Sequence, residues 1–404
     1  MGLIVQKFGG TSVADAERIK SAASKIVKSH LDGNRVIVVV SARGKTTDEL
    51  VNMAYAISDN PASRELDMLL STGEQITISL MAMAIHSLGY PAISLTGSQV
   101  GIRTDSSHTK ARIVSISTEK IDVELNNGNI VIVAGFQGID VESNITTLGR
   151  GGSDTTAVAL AAKMKADFCE IYTDVDGIYT ADPRLVPDAK KLKQITYDEI
   201  LELASLGAQV MQPRSIEFAK KYDVPIHVRS SFNNSSGTLI CKEAPEMEDI
   251  VVSGATISKN DAKITIRGIP DKPGQAANIF HEIAAKNINV DMIIQNIGAM
   301  GLADVTFTVP KEDLKVAMLT AEEIVKKIEA KEVVTDKKIA KLSIVGIGMR
   351  IHSGIAEKMF SALANEKINI QMISTSEIKV SCIIDENMAE KALLAIHKTF
   401  GLAN

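Results

Sequence analysis

Five consecutive residues, Val36 to Val40, are all β-branched. Successive side chains of a strand point to opposite faces, so an unbroken apolar run marks a strand buried on both sides, as in the middle of a parallel sheet. Ile130 to Ala134 repeats the pattern, with shorter runs at Leu3 to Gln6 and Ile171 to Thr173. Between them lie stretches with helical spacing: Asp15 to Ser29, an apolar helix that runs through Leu88, and Thr155 to Ala162. Strands alternating with helices from Leu3 to about Cys241 specify an α/β domain in three layers with a mostly parallel sheet, whose functional loops lie at the strand ends.

At 404 residues the chain exceeds what one hydrophobic core supports, so two or three domains are expected. The texture changes beyond a Pro- and Glu-containing stretch near Lys242 to Asp249, where an internal repeat begins. TIRGI at 265–269 matches SIVGI at 343–347, and AAKNINVDMI at 284–293 matches ANEKINIQMI at 364–373, with Gly274 and Phe280 echoed by Gly354 and Phe360. Each copy reads as a βαββαβ module of α+β, ferredoxin-like type. The expected division is 1–241 for the α/β domain, 242–261 for a linker, and 262–335 and 340–404 for the two modules. Lys311 to Lys331 alternates charge at helical spacing and reads as a solvated helix face.

The loops carry the chemistry. Thr146 to Asp154, TTLGRGGSD, gathers three glycines, a guanidinium and a carboxylate just before a helix. Glycines let backbone amides approach an anion, the helix N-terminus adds positive partial charge, and Arg150 suits a planar carboxylate. The same residues also suit a surface turn capped by Ser153 or Asp154. Lys7-Phe8-Gly9-Gly10 is a glycine turn between strand and helix that presents a lysine at a strand's carboxyl end. Ser41 to Asp48 contains Gly-Lys-Thr, but a Walker A loop needs a glycine at position 39, where Val39 stands; Thr47 or, in preference, Asp48 reads as the cap of the next helix. Ser71-Thr72-Gly73-Glu74 reads as a helix start, and Glu74 gains meaning beside an amine. Thr173 to Arg184 is dense in carboxylates, yet Gly177 and the missing glutamate rule out an EF-hand.

Composition excludes other classes. The net charge of -5 and the 4% aromatic content argue against nucleic acid as a partner. No signal peptide, myristoylation pattern or run of roughly 20 apolar residues is present, so no membrane partner is expected. Cys169, Cys241 and Cys382 are far apart and read as buried thiols of a cytoplasmic protein.

With KFGGTSV, SARGKTTDE, STGEQ, TTLGRGGSD and YTDVDGIYTADPR in this order, the chain resembles the aspartate kinases of the amino acid kinase family. Its tail resembles their tandem ACT regulatory domains. The resemblance implies transfer of the ATP γ-phosphoryl group to the β-carboxylate of L-aspartate, with Mg²⁺ bridging the phosphates, at the head of lysine, threonine and methionine biosynthesis. It implies that Lys7 and Asp154 are catalytic, that Arg150 binds a substrate carboxylate and Glu74 the ammonium, and that Ser41 and Thr47 line the pocket. Lys7, Gly9, Gly10, Thr173, Asp174, Tyr179, Asp182 and Arg184 would surround ATP; no protein metal ligand is implied. Gln209 stands where many relatives carry a lysine near the nucleotide. The ACT resemblance implies lysine or threonine as effector at Asp271, Gly274, Ala276, Gln295, Asn369 and Ile370, and a homo-oligomer. Met247 opens a segment that some relatives also make as a separate regulatory subunit. A kinase of another small acid, or an amino-acid sensor without catalysis, are the competing readings; intact Lys7 and Asp154 count against the sensor.

Overall fold

The computed structural model describes residues 2–206, 211–243, 251–298 and 301–403. Gln209 and Met247 therefore lie outside the described residues. The chain divides into two compact units, Met1–Tyr179 with Lys191–Pro245, and Thr180–Lys190 with Glu246–Asn404.

The first unit is built on an eight-stranded sheet in the order Gln194–Thr196, Thr238–Cys241, Ile226–Ser230, Phe168–Thr173, Leu3–Phe8, Arg35–Val40, Ile130–Ala134 and Ala92–Leu95. Every pairing is parallel except that of Ile226–Ser230 with Thr238–Cys241. The β-branched run behaves as its pattern demands. Val36, Val38 and Val40 join Ile130, Ile132 and Ala134 in a core with the helices Ala16–Leu31 and Ser63–Ser87, while Ile37 and Val39 are fully buried on the other face. There the helix Gly152–Met164 buries ten of its residues in succession. Such burial all round requires small side chains, and Ala157, Ala159 and Ala161 supply them. A second, small sheet runs Ile113–Ile116, Ile102–Thr104, Gln137–Ile139, Ile145–Thr147.

Two local expectations are corrected. The helix after Ser41 begins at Thr46 with Lys45 in the capping position and no side-chain cap, so Asp48 sits in the first turn, where its charge meets the positive helix end. Ser71 to Glu74 is no helix start: the helix begins at Ser63, and these residues lie in its middle, where Ser71, Gly73 and Glu74 are buried. Among the described residues this helix alone is long and apolar enough to cross a membrane by length and composition, but half of it is buried and Ile78, Met81 and Ile85 belong to the core.

The second unit holds two four-stranded antiparallel sheets. The first module runs βαββαβ through Asp261–Pro270, Gln275–Ala285, Ile293–Ile297, Leu302–Pro310, Leu314–Lys327 and Glu332–Asp336. Its core joins Ile264, Ile266, Ile279, Ile283, Phe307 and Ile324. The charged helix Leu314–Lys327 is solvated on one face and buries Leu314, Ala317, Ala321 and Ile324 on the other. The second module follows with Ile339–Val345, Ile355–Asn365, Met372–Thr375, Lys379–Asp385 and Ala389–Thr399. Its fourth strand is Gly254–Ser258, paired antiparallel with Ile339–Val345. The expected linker 242–261 thus contains a strand of the second module's sheet, with the whole first module inserted after it. Pairing over such a distance leaves no local signal, whereas the pattern within each copy is local. Lys341, almost fully buried, ties the modules together by pairing with Asp261 at 3.3 Å and with Asp291.

Candidate active site

The register of the parallel sheet lines up four strand ends. Tyr172 pairs with Phe8, Phe8 with Val40, and Val40 with Ala134, so Thr173, Gly9, Ser41 and Gly135 follow one another along the carboxyl edge. The strand Leu3–Phe8 connects onward to Arg35–Val40 on one side, and the chain returns as Phe168–Thr173 on the other. That reversal leaves a crevice beyond the strand ends, where open α/β sheets bind ligands.

Lys7 and Asp154 meet there. Lys7 is the penultimate residue of its strand and Asp154 lies in the first turn of the helix Gly152–Met164; Lys7 Nζ is 2.5 Å from Asp154 Oδ1, with both side chains about nine-tenths buried. Gly151, left-handed at φ 72°, precedes the helix, and no side chain caps it. Asp154 is therefore spent on the lysine and not on a cap. A Cβ on Gly10 would come within 2.9 Å of the Ala42 carbonyl oxygen and 3.1 Å of that of Gly44. Only glycine allows this approach, which Gly44 N–H secures by donating to Gly10 O at 2.9 Å. Ser41 N–H donates to Phe8 O at 3.1 Å, and the side chains of Ser41 and Thr47 are half-buried.

Glu74 approaches the same loop from the helix Ser63–Ser87. Its Oε1 accepts from Ala42 N–H at 2.9 Å, while Oε2 is buried with no partner among the described residues. Burial pushes its carboxyl up from 4.5 to about 7. Gly73 makes the contact possible, since a Cβ there would lie 2.7 Å from that of Ala42. Arg150 is exposed, and no carboxylate among the described residues pairs with it. Its loop is held from below: Arg214 donates to Leu148 O at 2.7 Å and to Ala111 O at 2.9 Å.

On the far side of Gly9, Thr173 Oγ1 donates to Asp174 Oδ1 at 3.1 Å, and Tyr179 donates to Asp176 Oδ1 at 2.8 Å; burial, helped by that bond, pushes the phenol up to about 12. Asp182 and Arg184 pair with each other at 2.6 Å in the segment Thr180–Lys190, which clusters with the second unit. They are not among the residues the first unit gathers. In the first module of the second unit, Asp271, Gly274, Ala276 and Gln295 line one cavity of about 470 Å³. Gly274, left-handed at φ 93°, opens the helix Gln275–Ala285, and Gln275 Oε1 is buried there without a partner among the described residues. Asn369 and Ile370 belong to the second module and do not line this cavity. Cys169 and Cys382 are buried, but Cys241 is half-exposed, with Sγ donating to Glu243 O at 3.2 Å.

Sequence reasoning missed Asp67 and Arg214. The first had a signal, a carboxylate seven residues before Glu74 and so on the same helix face; the second had none, because its partners are remote backbone carbonyls.

Comparison with known proteins identifies the family. Residues 2–230 match the model of the amino acid kinase family, and 264–323 and 342–400 match that of an ACT domain. An aspartate kinase of Pseudomonas putida is 54% identical over 403 residues, covering 100% of this chain and 98% of its own, and aspartokinase 2 of Bacillus subtilis is 51% identical with the same coverage. Among solved structures, Clostridium acetobutylicum aspartate kinase is 26% identical at a TM-score of 0.81, covering 99% of this chain and 100% of its own. E. coli aspartokinase III in complex with aspartate and ADP is 25% identical at 0.80, covering 98% and 99%. The chain belongs to the aspartate kinases of the amino acid kinase family, with C-terminal ACT domains.

Proposed function

We propose that the Lys7–Asp154 site transfers the γ-phosphoryl group of ATP to the β-carboxylate of L-aspartate, giving 4-phospho-L-aspartate and ADP. The observation that carries this reading is the 2.5 Å pair at the strand ends, beside the glycine turn. A carboxylate is already ionised at pH 7, so the nucleophile needs no general base, and catalysis rests on position and charge. Lys7 offsets charge on the moving phosphoryl group, Asp154 fixes the lysine's direction, and Gly10 offers its amide, whereas the expected Gly9 amide already donates to Tyr172 O at 3.3 Å. Thr173, Asp174 and Tyr179 take the nucleotide. Glu74, whose second oxygen lacks a donor, receives the substrate ammonium; Arg150 receives a carboxylate by two parallel hydrogen bonds, and Ser41 and Thr47 line the pocket. Mg²⁺ would arrive with ATP and offset charge on its phosphates, an ion that keeps much of its water and calls for few protein ligands.

Residues 1–241 form the catalytic domain, and 262–335 and 340–404 the regulatory modules. E. coli aspartokinase III has been solved with lysine and aspartate at a TM-score of 0.78 and 26% identity. Lysine or threonine here binds the cavity at Asp271, Gly274, Ala276 and Gln295, with Asn369 and Ile370 from a second module completing the site in a homo-oligomer. The effector acts by binding active and inactive states unequally. Three free cysteines suit a cytoplasmic setting.

The test is ADP release with Mg-ATP and L-aspartate, with L-glutamate as control, each with and without lysine and threonine. Turnover on aspartate, reduced by an effector and abolished by Lys7→Ala with effector binding retained, is expected. No turnover on either acid, with effector still bound, leaves a sensor and ends the kinase reading.

A further inference from the structure

The carboxylate of Asp67 is fully buried in the helix Ser63–Ser87, and donors reach it from two distant stretches of chain. His108 Nδ1 donates to Oδ2 at 2.7 Å, the Thr109 N–H lies 3.0 Å from both oxygens, and the Thr147 hydroxyl donates to Oδ1 at 2.5 Å. Thr109 adopts φ 67° to make its bond, a left-handed conformation that a β-branched residue rarely takes. Such geometry persists only where surrounding contacts enforce it.

What these bonds join matters more than their number. Asp67 and Glu74 are seven residues apart, two turns along one helix face, so their α-carbons are separated by about 10 Å of rigid helix. Thr147 ends the strand Ile145–Thr147, and Arg150 follows three residues later. Gln137 Nε2 adds a second tie by donating to Ser71 O, between the two carboxylates, at 2.9 Å. The helix that bears Glu74 and the loop that bears Arg150 are thus fastened to each other at Asp67.

We propose that Asp67, through Thr147 and His108, is a positioning residue for the amino-acid substrate: it sets the separation between the group that meets the ammonium and the group that meets a carboxylate. This rests on the assignment of Glu74 and Arg150 to the substrate made above. An α-amino acid carries both charges at a fixed spacing, so a site that must engage both at once is sensitive to small shifts between them. The nucleotide side, built on Lys7, the glycine turn and Thr173–Asp174 at other strand ends, does not depend on this fastening.

The experiment is steady-state kinetics of the full chain carrying Asp67→Asn, Thr147→Val or Thr147→Ser, with Glu74→Gln and Arg150→Ala alongside. Asp67→Asn and Thr147→Val are expected to raise KM for aspartate about tenfold while KM for ATP stays within about twofold, and Thr147→Ser restores the wild-type value, because a hydrogen bond to a charged group is worth at least one decade. A uniform loss in which both KM values rise together, or an unchanged KM for aspartate in folded Thr147→Val, overturns the proposal. Thr147→Val removes one hydroxyl at the edge of the cluster and keeps the test available if Asp67→Asn fails to fold. If Glu74→Gln and Arg150→Ala leave KM for aspartate unchanged, the substrate assignment itself falls, and the proposal with it. If those two raise it and the Asp67 and Thr147 variants do not, only the proposal falls.

Discussion

Asp67 and Glu74 lie on one face of one helix, and both are buried. Their surroundings are opposite. Asp67 receives the ring of His108, the amide of Thr109 and the hydroxyl of Thr147, whereas Glu74 receives the amide of Ala42 and keeps one oxygen buried and bare among the described residues. A buried polar atom without a partner costs folding free energy, and a protein tolerates it chiefly where a ligand will bring what is missing. The pair therefore separates the part of the helix that holds the structure from the part that, in the proposed site, waits for substrate.

The comparison breaks first at Asp67→Ala. Stripping the acceptor leaves three donors stranded, so a loss of at least about 3 kcal/mol is expected in urea unfolding; a change below about 1 kcal/mol would show that the saturated carboxylate is no anchor.

Glu74→Gln should move the other way. The folded protein holds the Glu74 proton up to about pH 7, against an ordinary 4.5. The folded state therefore binds more protons than the unfolded state between those values, and stability falls as pH rises through that window. The carboxyl costs nothing below about pH 4.5 and about 3 kcal/mol above pH 7. Ligand-free Glu74→Gln is expected to match wild type at pH 4.5 and exceed it increasingly toward pH 8; parallel pH profiles would show that Oε2 is not bare. Gly73→Ala sharpens the contrast by roughly 1–3 kcal/mol, since its new Cβ forces the helix away from Ala42 and loosens the bond Glu74 accepts from the Ala42 amide. The smallest effect is kinetic. An ammonium needs ionised Glu74, so KM for aspartate should rise about tenfold from pH 8 to pH 6, and the Glu74→Gln profile should be flat over that interval.

How much of this was legible beforehand depended on whether the signal was local. Val36 to Val40 announced a doubly buried strand because composition along five residues suffices, and both modules of the repeat were visible because each copy preserves its own pattern. The middle of the helix Ser63–Ser87 misled, because Ser71, Thr72 and Gly73 look like a helix start; in the fold Gly73 is small so that Ala42 fits against it. Asp48 looked like a cap because capping chemistry is short-range, but the helix begins two residues earlier. The role of Asp67 was hidden, since His108 and Thr147 lie 41 and 80 positions away. Gly254–Ser258 looks like linker in the sequence because its partner strand comes only after a complete module. Lys7, Glu74, Arg150 and Asp154 were singled out by motif, and geometry added which of them are already paired.

The segment Thr180–Lys190 has a consequence in time. Thr180 Oγ1 donates to Leu402 O at 2.8 Å, Ala189 bridges to Ala403, and His397 lies 3.0 Å from the same threonine hydroxyl. The anchor at Leu402 lies 222 positions further along the chain, at a synthesis rate of roughly 5–20 residues per second. The strand Gly254–Ser258 likewise emerges before the first module and pairs only once Ile339–Val345 follows it. A nascent chain can close the Lys7–Asp154 pair early, yet it leaves the segment bearing Asp182 and Arg184 without its anchorage for tens of seconds. The ribosome thus delivers the parts of this enzyme in an order different from the one in which they are locked, and a chain stopped short of Leu402 would carry a formed Lys7–Asp154 pair while the segment Thr180–Lys190 is still unfastened.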